Sequence, residues 1–243
     1  MGLGHSAEFI EEYQNFAREK LGFEFHNPEL LITALTHRSY INEHKNAEIE
    51  HNERLEFLGD ALLEIIVSEF LYRNYHEPEG VMTAWRSALV RTESIGAAGH
   101  ELGYEPLIRL SRGEQNGTDR SHESIVADCF EALSGAIYLD QGFEVVKEFI
   151  TKHILSKIDE ILADESWRDP KSYAQEFAQK NDGITPQYRT MKEEGPDHAR
   201  TFTVGIYVGK HLRGVGVGSS KQDAQTAAAK EAIKYYKKIG AKV

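Results

Sequence analysis

Two periods of apolar spacing run along this chain, and the change from one to the other comes near residue 165. In residues 6–20, Phe9, Ile10, Tyr13, Phe16 and Ala17 recur at helical spacing, and a second helix is predicted around 28–36, with Pro28 at its start. A polar connection over 42–51 leads into a long helix from Asn52 to about Arg73, with no proline until Pro78. Thr83 is the expected cap of a further helix through Trp85, Leu89 and Val90 to about Ala98. Gly113, Asn116 and Gly117 predict a loop over 111–119. A second long apolar helix is expected over 121–139 and an amphipathic one over 143–162, with no convincing strand in this part.

Beyond the polar stretch Ala163-Asp164-Glu165-Ser166-Trp167-Arg168-Asp169-Pro170 the pattern changes class. A short helix over 171–180 and a strand over 188–191 come first. Phe202, Val204, Ile206 and Val208 then alternate with Thr203, Gly205 and Tyr207, the period of two of a half-buried strand. Residues 212–217 pair with it across a turn at Val208-Gly209-Lys210-His211, and Ser219 or Ser220 caps an alanine-rich helix over 221–238. The order is α-β-β-β-α. Three segments are therefore expected: 1–162, a linker over 163–170, and 171–240.

Charge sharpens that division. The net charge of −11 over 243 residues hides two unlike parts. Residues 168–243 hold 14 Lys and Arg against 8 Asp and Glu, a net of +6, whereas 1–167 carry 14 against 31, a net of −17. No apolar run is long enough to span a membrane, and no basic segment followed by an apolar one suggests a signal peptide. The first six residues fit a myristoylation pattern, but one so short that it recurs by chance. Cys129 is the single cysteine, so no internal disulfide can form and a reducing cytosol is the expected compartment. In its apolar helix, Cys129 reads as a small core residue.

The candidate chemistry lies in the two long helices. Glu53, Glu56, Asp60 and Glu64 fall at i, i+3, i+7 and i+11 and so share one side of the first. The rest of that helix is mostly apolar, so both flanks of the acidic stripe are expected to be buried. Acids so placed must be solvated, paired or bound to cations. The second helix adds Asp128 and Glu131, at i and i+3. If the two helices pack face to face, Glu56, Asp60, Asp128 and Glu131 converge and raise one another's pKa values unless cations neutralise them. Carboxylates without histidine or thiolate favour Mg2+ or Mn2+ over zinc. A carboxylate-bound metal pair can activate water and stabilise the leaving oxygen of a phosphodiester. No Ser-His-Asp or Cys-His arrangement and no phosphate-cradling glycine loop competes, and His37 reads as a hydrogen-bonded structural histidine.

Asn52-Glu53-Arg54-Leu55-Glu56-Phe57-Leu58-Gly59-Asp60 resembles the signature of the ribonuclease III family. Glu123-Ser124-Ile125-Val126-Ala127-Asp128-Cys129-Phe130-Glu131-Ala132 looks like that family's other catalytic segment, and Thr36-His37-Arg38-Ser39-Tyr40 is a third match. The tail resembles a double-stranded-RNA-binding domain. The resemblance covers almost the whole chain. It implies a mainly α nuclease domain followed by a small α+β domain, and a homodimeric, Mg2+-dependent endoribonuclease cleaving double-stranded RNA in the cytoplasm. It also implies 5′-phosphate and 3′-hydroxyl ends, substrates among precursor rRNA and some mRNA and tRNA precursors, and neither a membrane nor a small-molecule cofactor.

Residue by residue, Glu56, Asp60, Asp128 and Glu131 would be catalytic and metal-binding. Glu53 would stand at the RNA edge of the site, Glu79 would be an auxiliary acid close by, and Phe57 would insert into a pocket of the other subunit. Glu64 matches no functional position of the family and is left as solvated or paired. In the tail, Gln175 and Glu176 would meet a minor groove, His198 in Gly195-Pro196-Asp197-His198 the next one, and Lys221 and Gln222 the phosphates between. The family usually has two lysines at 221–222, so one clamp charge is missing. Ala174 stands where leucine is commoner, which suggests looser packing. The alternative is a catalytically silent RNA-binding protein on the same scaffold; it would be signalled by loss of one of the four carboxylates, and none is lost.

Overall fold

Why the first part folds as helices is legible at their ends. In the computed structural model, which describes residues 5–44, 50–115, 117–165, 167–196 and 199–241, α1 (Ala7–Phe16) begins where Ser6 accepts from the Phe9 N–H. It continues as a short π-helical turn, Ala17–Leu21, closed by left-handed Gly22. The helix α2 (Pro28–Ala34) has Asn27 as its cap, and α3 (Arg38–Glu43) is capped by the His37 ring. The long α4 (Glu53–Asn74) follows, then α5 (Glu79–Leu89), α6 (Thr92–Leu102), the single turn α7 (Arg112–Gln115), α8 (Asp119–Gln141), α9 (Phe143–His153) and α10 (Ile158–Asp164).

Four expectations are corrected here. Thr83 lies inside α5 rather than capping it, because the helix starts just after Pro78, and the chain breaks at Val90 and Arg91, where the backbone leaves helical angles. The loop expected over 111–119 contains α7, held by the Ser111 hydroxyl accepting from the Glu114 N–H. The helix expected over 143–162 is interrupted at Ile154 and by a 3-10 turn, Leu155–Lys157. Finally, only one flank of the acidic stripe is buried. Leu55, Leu62, Leu63, Ile66 and Val67 enter the core, while Phe57 (81% exposed), Ile65 and Tyr72 form an apolar strip open to solvent. Helical spacing identifies an apolar flank but not what covers it.

The core of this first unit is built around α4 and α8, which pack along most of their length, with Leu63, Ile66, Phe130, Leu133 and Ile137 fully buried. Among the described residues its one extended contact is the isolated bridge Thr36↔Arg109.

The chain divides into two compact units between Trp167 and Arg168. Trp167 sets its indole edge-on to Trp85 in the first unit, whereas the Arg168 guanidinium lies 4.3 Å from the Tyr173 ring centre in the second. The second unit comprises α11 (Pro170–Asp182), β1 (Gln187–Glu194), β2 (Thr201–Val208), β3 (His211–Gly218) and α12 (Lys221–Lys238). Its sheet is antiparallel in the order β1-β2-β3, and the β2–β3 turn uses Gly209 at φ +61°. The helix α12 rests so closely on β3 that a Cβ on Gly216 would stand 2.2 Å from the Ala228 nitrogen. Ala174 is fully buried in a layer with Ile206, Ala228, Ala229 and Ala232, small side chains meeting small ones.

Candidate active site

Two glycines set the geometry. A Cβ on Gly59 of α4 would lie 1.7 Å from the Glu131 carbonyl oxygen of α8, and one on Gly135 of α8 would lie 2.3 Å from the Leu55 carbonyl oxygen of α4. The helices therefore cross backbone against backbone at a pair of reciprocal contacts. Each glycine costs helix propensity, roughly 1 kcal/mol relative to alanine, in exchange for close approach. Glu56 and Asp60 stand on either side of Gly59, and Asp128 and Glu131 on the facing turns of α8. The glycine crossing is what brings the two carboxylate pairs together.

A second fixing point lies at the start of α4. Asn52 is buried; its N–H donates to the Thr36 carbonyl at 2.9 Å, and its side-chain amide donates to Cys129 Sγ at 3.6 Å. Cys129 is fully buried, and burial pushes its thiol pKa up, as suits a packing residue. Thr36 is itself held by Oγ1 donating to the Ile32 carbonyl at 2.6 Å and by its bridge to Arg109. His37 accepts from the Ser39 N–H at 3.3 Å, and Ser39 Oγ accepts from the Ser111 N–H, so this histidine is a structural cap.

Electrostatics mark the four acids as a group. Burial raises the Glu131 pKa from 4.5 to about 8, with further push from Asp60, Glu56 and Asp128. Glu56 is raised by burial and then by Asp128, Glu53 and Asp60. Burial followed by Glu53 raises Asp128. Asp60 is the member of the set open to water. Among the described residues, no three His, Cys, Asp or Glu side chains are already closed around a metal-sized point. The donor set nevertheless fits a hard divalent cation: oxygen only, partly buried, and with negative charge that a cation would relieve.

Glu53 bears on this group through the rise it adds to Glu56 and Asp128. Glu53 is exposed and pairs with Arg38 at 3.1 Å and with His51 at 3.8 Å. Glu64 is paired with Arg86 at 2.9 Å. Glu79 begins α5 and borders a cleft of about 300 Å3 with Ser68, Tyr72 and Arg86. At 1.5 Å per residue, Ser68 lies about 12 Å along α4 from Asp60. Phe57 projects from the exposed flank of α4. A groove of about 640 Å3 is lined by Leu30, Thr33, Arg54, Leu55, Leu58 and Leu139.

In the second unit, Gln175 and Glu176 are exposed on α11, Glu176 being paired with Arg168 at 3.3 Å. Lys221 opens α12, capped by Ser220 accepting from the Asp223 N–H, and Gln222 beside it is exposed. His198 lies outside the described residues. Sequence reasoning gave no role to Gly59, Gly135 or Asn52. The available signal was a glycine or a polar residue inside an otherwise apolar helix signature.

Residues 27–158 match the family model described as Ribonuclease-III-like, and residues 170–236 match that of the double-stranded RNA binding motif. A curated protein of Desulforamulus reducens named Ribonuclease 3 is 43% identical over 95% of this chain and 94% of its own length. One of the same name from Enterococcus faecalis is 43% identical over 89% of this chain and 94% of its own. Among solved structures, the nuclease domain of the Campylobacter jejuni ribonuclease III, described as having a region involved in dimer formation, is 36% identical. It covers 58% of this chain and 95% of that one, with a TM-score of 0.52.

Proposed function

The chain belongs to the ribonuclease III family and is an endoribonuclease; from that premise we propose that Glu56, Asp60, Asp128 and Glu131 are its catalytic carboxylates and hold Mg2+, with Mn2+ as a substitute. One observation carries this reading: four acids from two helices gathered at a glycine crossing, three of them raised in pKa by burial and by neighbouring acids. A bound divalent cation would supply positive charge at the scissile phosphodiester and ease deprotonation of the attacking water. The protein's own part is to bind, orient and exchange protons. Glu56 and Asp128 hold their oxygens on facing turns of two rigid helices. Glu131 keeps its proton near neutral pH until positive charge is present. Asp60, open to water, accepts the proton of the attacking water on a carboxylate oxygen. Glu53, at the exposed start of α4, guards the RNA side.

The substrate is double-stranded RNA, anchored by the basic second unit through Gln175, Glu176, His198, Lys221 and Gln222, and cut to 5′-phosphate and 3′-hydroxyl ends. Precursor rRNA and some mRNA and tRNA precursors are the proposed transcripts, in the cytoplasm; no helix among the described residues is long and apolar enough to cross a membrane. The working unit is a homodimer with Phe57 of each copy seated in the groove of the other, so that both strands are cut. All four carboxylates are present, which disfavours the catalytically silent alternative. The test is cleavage of a long RNA duplex with and without Mg2+. Glu131→Gln should be slowed by about 10³-fold or more while remaining folded, and single-stranded RNA should be left intact. Cutting at the wild-type rate by Glu131→Gln would overturn the carboxylate-metal reading.

A further inference from the structure

Lys221 at the start of α12 is followed by the uncharged Gln222, and the structure brings another cation to Lys221 from a different element. Glu193, near the end of β1, accepts from Arg200 Nη1 through Oε1 at 2.7 Å and faces Lys221 Nζ through Oε2 at 3.9 Å. Arg200 immediately precedes β2, Lys221 opens α12, and the Lys221 ammonium lies 5.5 Å from the ring centre of Phe202, the cross-strand partner of Glu193. Three elements thus converge on one carboxylate. Lys192, the preceding residue, is engaged elsewhere by Glu194 at 2.7 Å, as alternation along a strand requires.

We propose that Arg200 is the second cation of the phosphate clamp in this chain, and that a backbone phosphate of duplex RNA replaces the Glu193 carboxylate between Arg200 and Lys221. The inference rests on the reading of this unit as the RNA anchor. A carboxylate and a phosphate offer the same anionic oxygens to a guanidinium and an ammonium, so Glu193 marks where the ligand anion sits. All three side chains keep more than a third of their exposure, so the pairs are weakly held and exchangeable. A phosphate contact adds counterion release, which an internal carboxylate cannot supply. Gln222 can hydrogen-bond but brings no charge.

Equilibrium binding of the full chain to a long RNA duplex, measured by anisotropy in EDTA across a salt series, tests this directly. Arg200→Ala should weaken binding about three- to tenfold and reduce the slope of log K against log salt by about one. Adding Gln222→Lys to that variant should restore the slope. Glu193→Gln should tighten binding, since the competing carboxylate is gone. If Lys221→Ala lowers the slope but Arg200→Ala does not, the anchor stands and this inference falls. If neither substitution moves the slope, the reading of the unit as an RNA anchor fails with it. Weaker binding by Glu193→Gln, with an unchanged melting curve, would also overturn the exchange of carboxylate for phosphate.

Discussion

The two units handle charge in opposite ways. In the first, like charges are forced together: Glu56, Asp60, Asp128 and Glu131 gather where glycines let α4 and α8 touch, and Glu131 is raised in pKa by burial and by the other three. In the second, opposite charges are spread over the surface in exposed pairs such as Glu193 with Arg200 and Glu176 with Arg168. Buried repulsion is relieved by a ligand of opposite charge and fixed position. Exposed pairs are exchanged for one, at low energy and with strong dependence on salt. A metal site needs the first arrangement and a mobile grip on a polyanion the second.

The largest effect should come from breaking the crossing. Gly59→Ala places a methyl 1.7 Å from the Glu131 carbonyl oxygen, backbone that cannot swing aside. It should destabilise the first unit by about 3 kcal/mol or more, lowering its melting transition and leaving that of the second unit in place. Gly216→Ala, whose methyl would stand 2.2 Å from the Ala228 nitrogen, should do the reverse, and calorimetry of the full chain should resolve the two. If both variants lower one shared transition, the two units are not independent.

Phe57→Ala should leave the fold of each subunit intact, since the ring is 81% exposed, but weaken self-association by about 2 kcal/mol in sedimentation equilibrium. Smallest is Glu64→Gln. Glu64 shares the stripe but is answered by Arg86, so the change should cost under about 1 kcal/mol and leave cleavage unaltered. Loss of cleavage in Glu64→Gln would mean that the stripe, and not the four convergent acids, is the functional unit.

Much of this was legible in the sequence because periodicity reports which residues share a face. Spacing nominated Glu56, Asp60, Asp128 and Glu131, and the period of two from Phe202 to Val208 located the strand observed as Thr201–Val208. Spacing failed where tertiary contact decides. It could not separate Glu64 from the others, because Arg86 comes from another helix. It buried both flanks of α4, although the Phe57 flank is open. Gly59 and Gly135 passed without a role because a close approach belongs to two helices at once. The Arg200 and Lys221 pairing is of the same kind, 21 positions apart and brought together at Glu193.

If the first unit stores repulsion that a divalent cation relieves, thermal melting of wild type and Glu131→Gln at pH 6 and at about pH 9, each with and without Mg2+, will show it. Glu131 has a folded pKa raised from 4.5 to about 8, so its contribution to stability is full below about pH 4.5 and is lost as pH rises through about 8. Without Mg2+, the first unit of the wild type should therefore melt lower at about pH 9 than at pH 6. Glu131→Gln should remove that part of the dependence and be more stable at about pH 9 by about 2 kcal/mol, allowing for partial solvent screening. Mg2+ should raise the wild-type transition at about pH 9 and raise that of Glu131→Gln far less. If Mg2+ shifts both proteins equally, or neither, the four acids do not bind the cation and the account is contradicted.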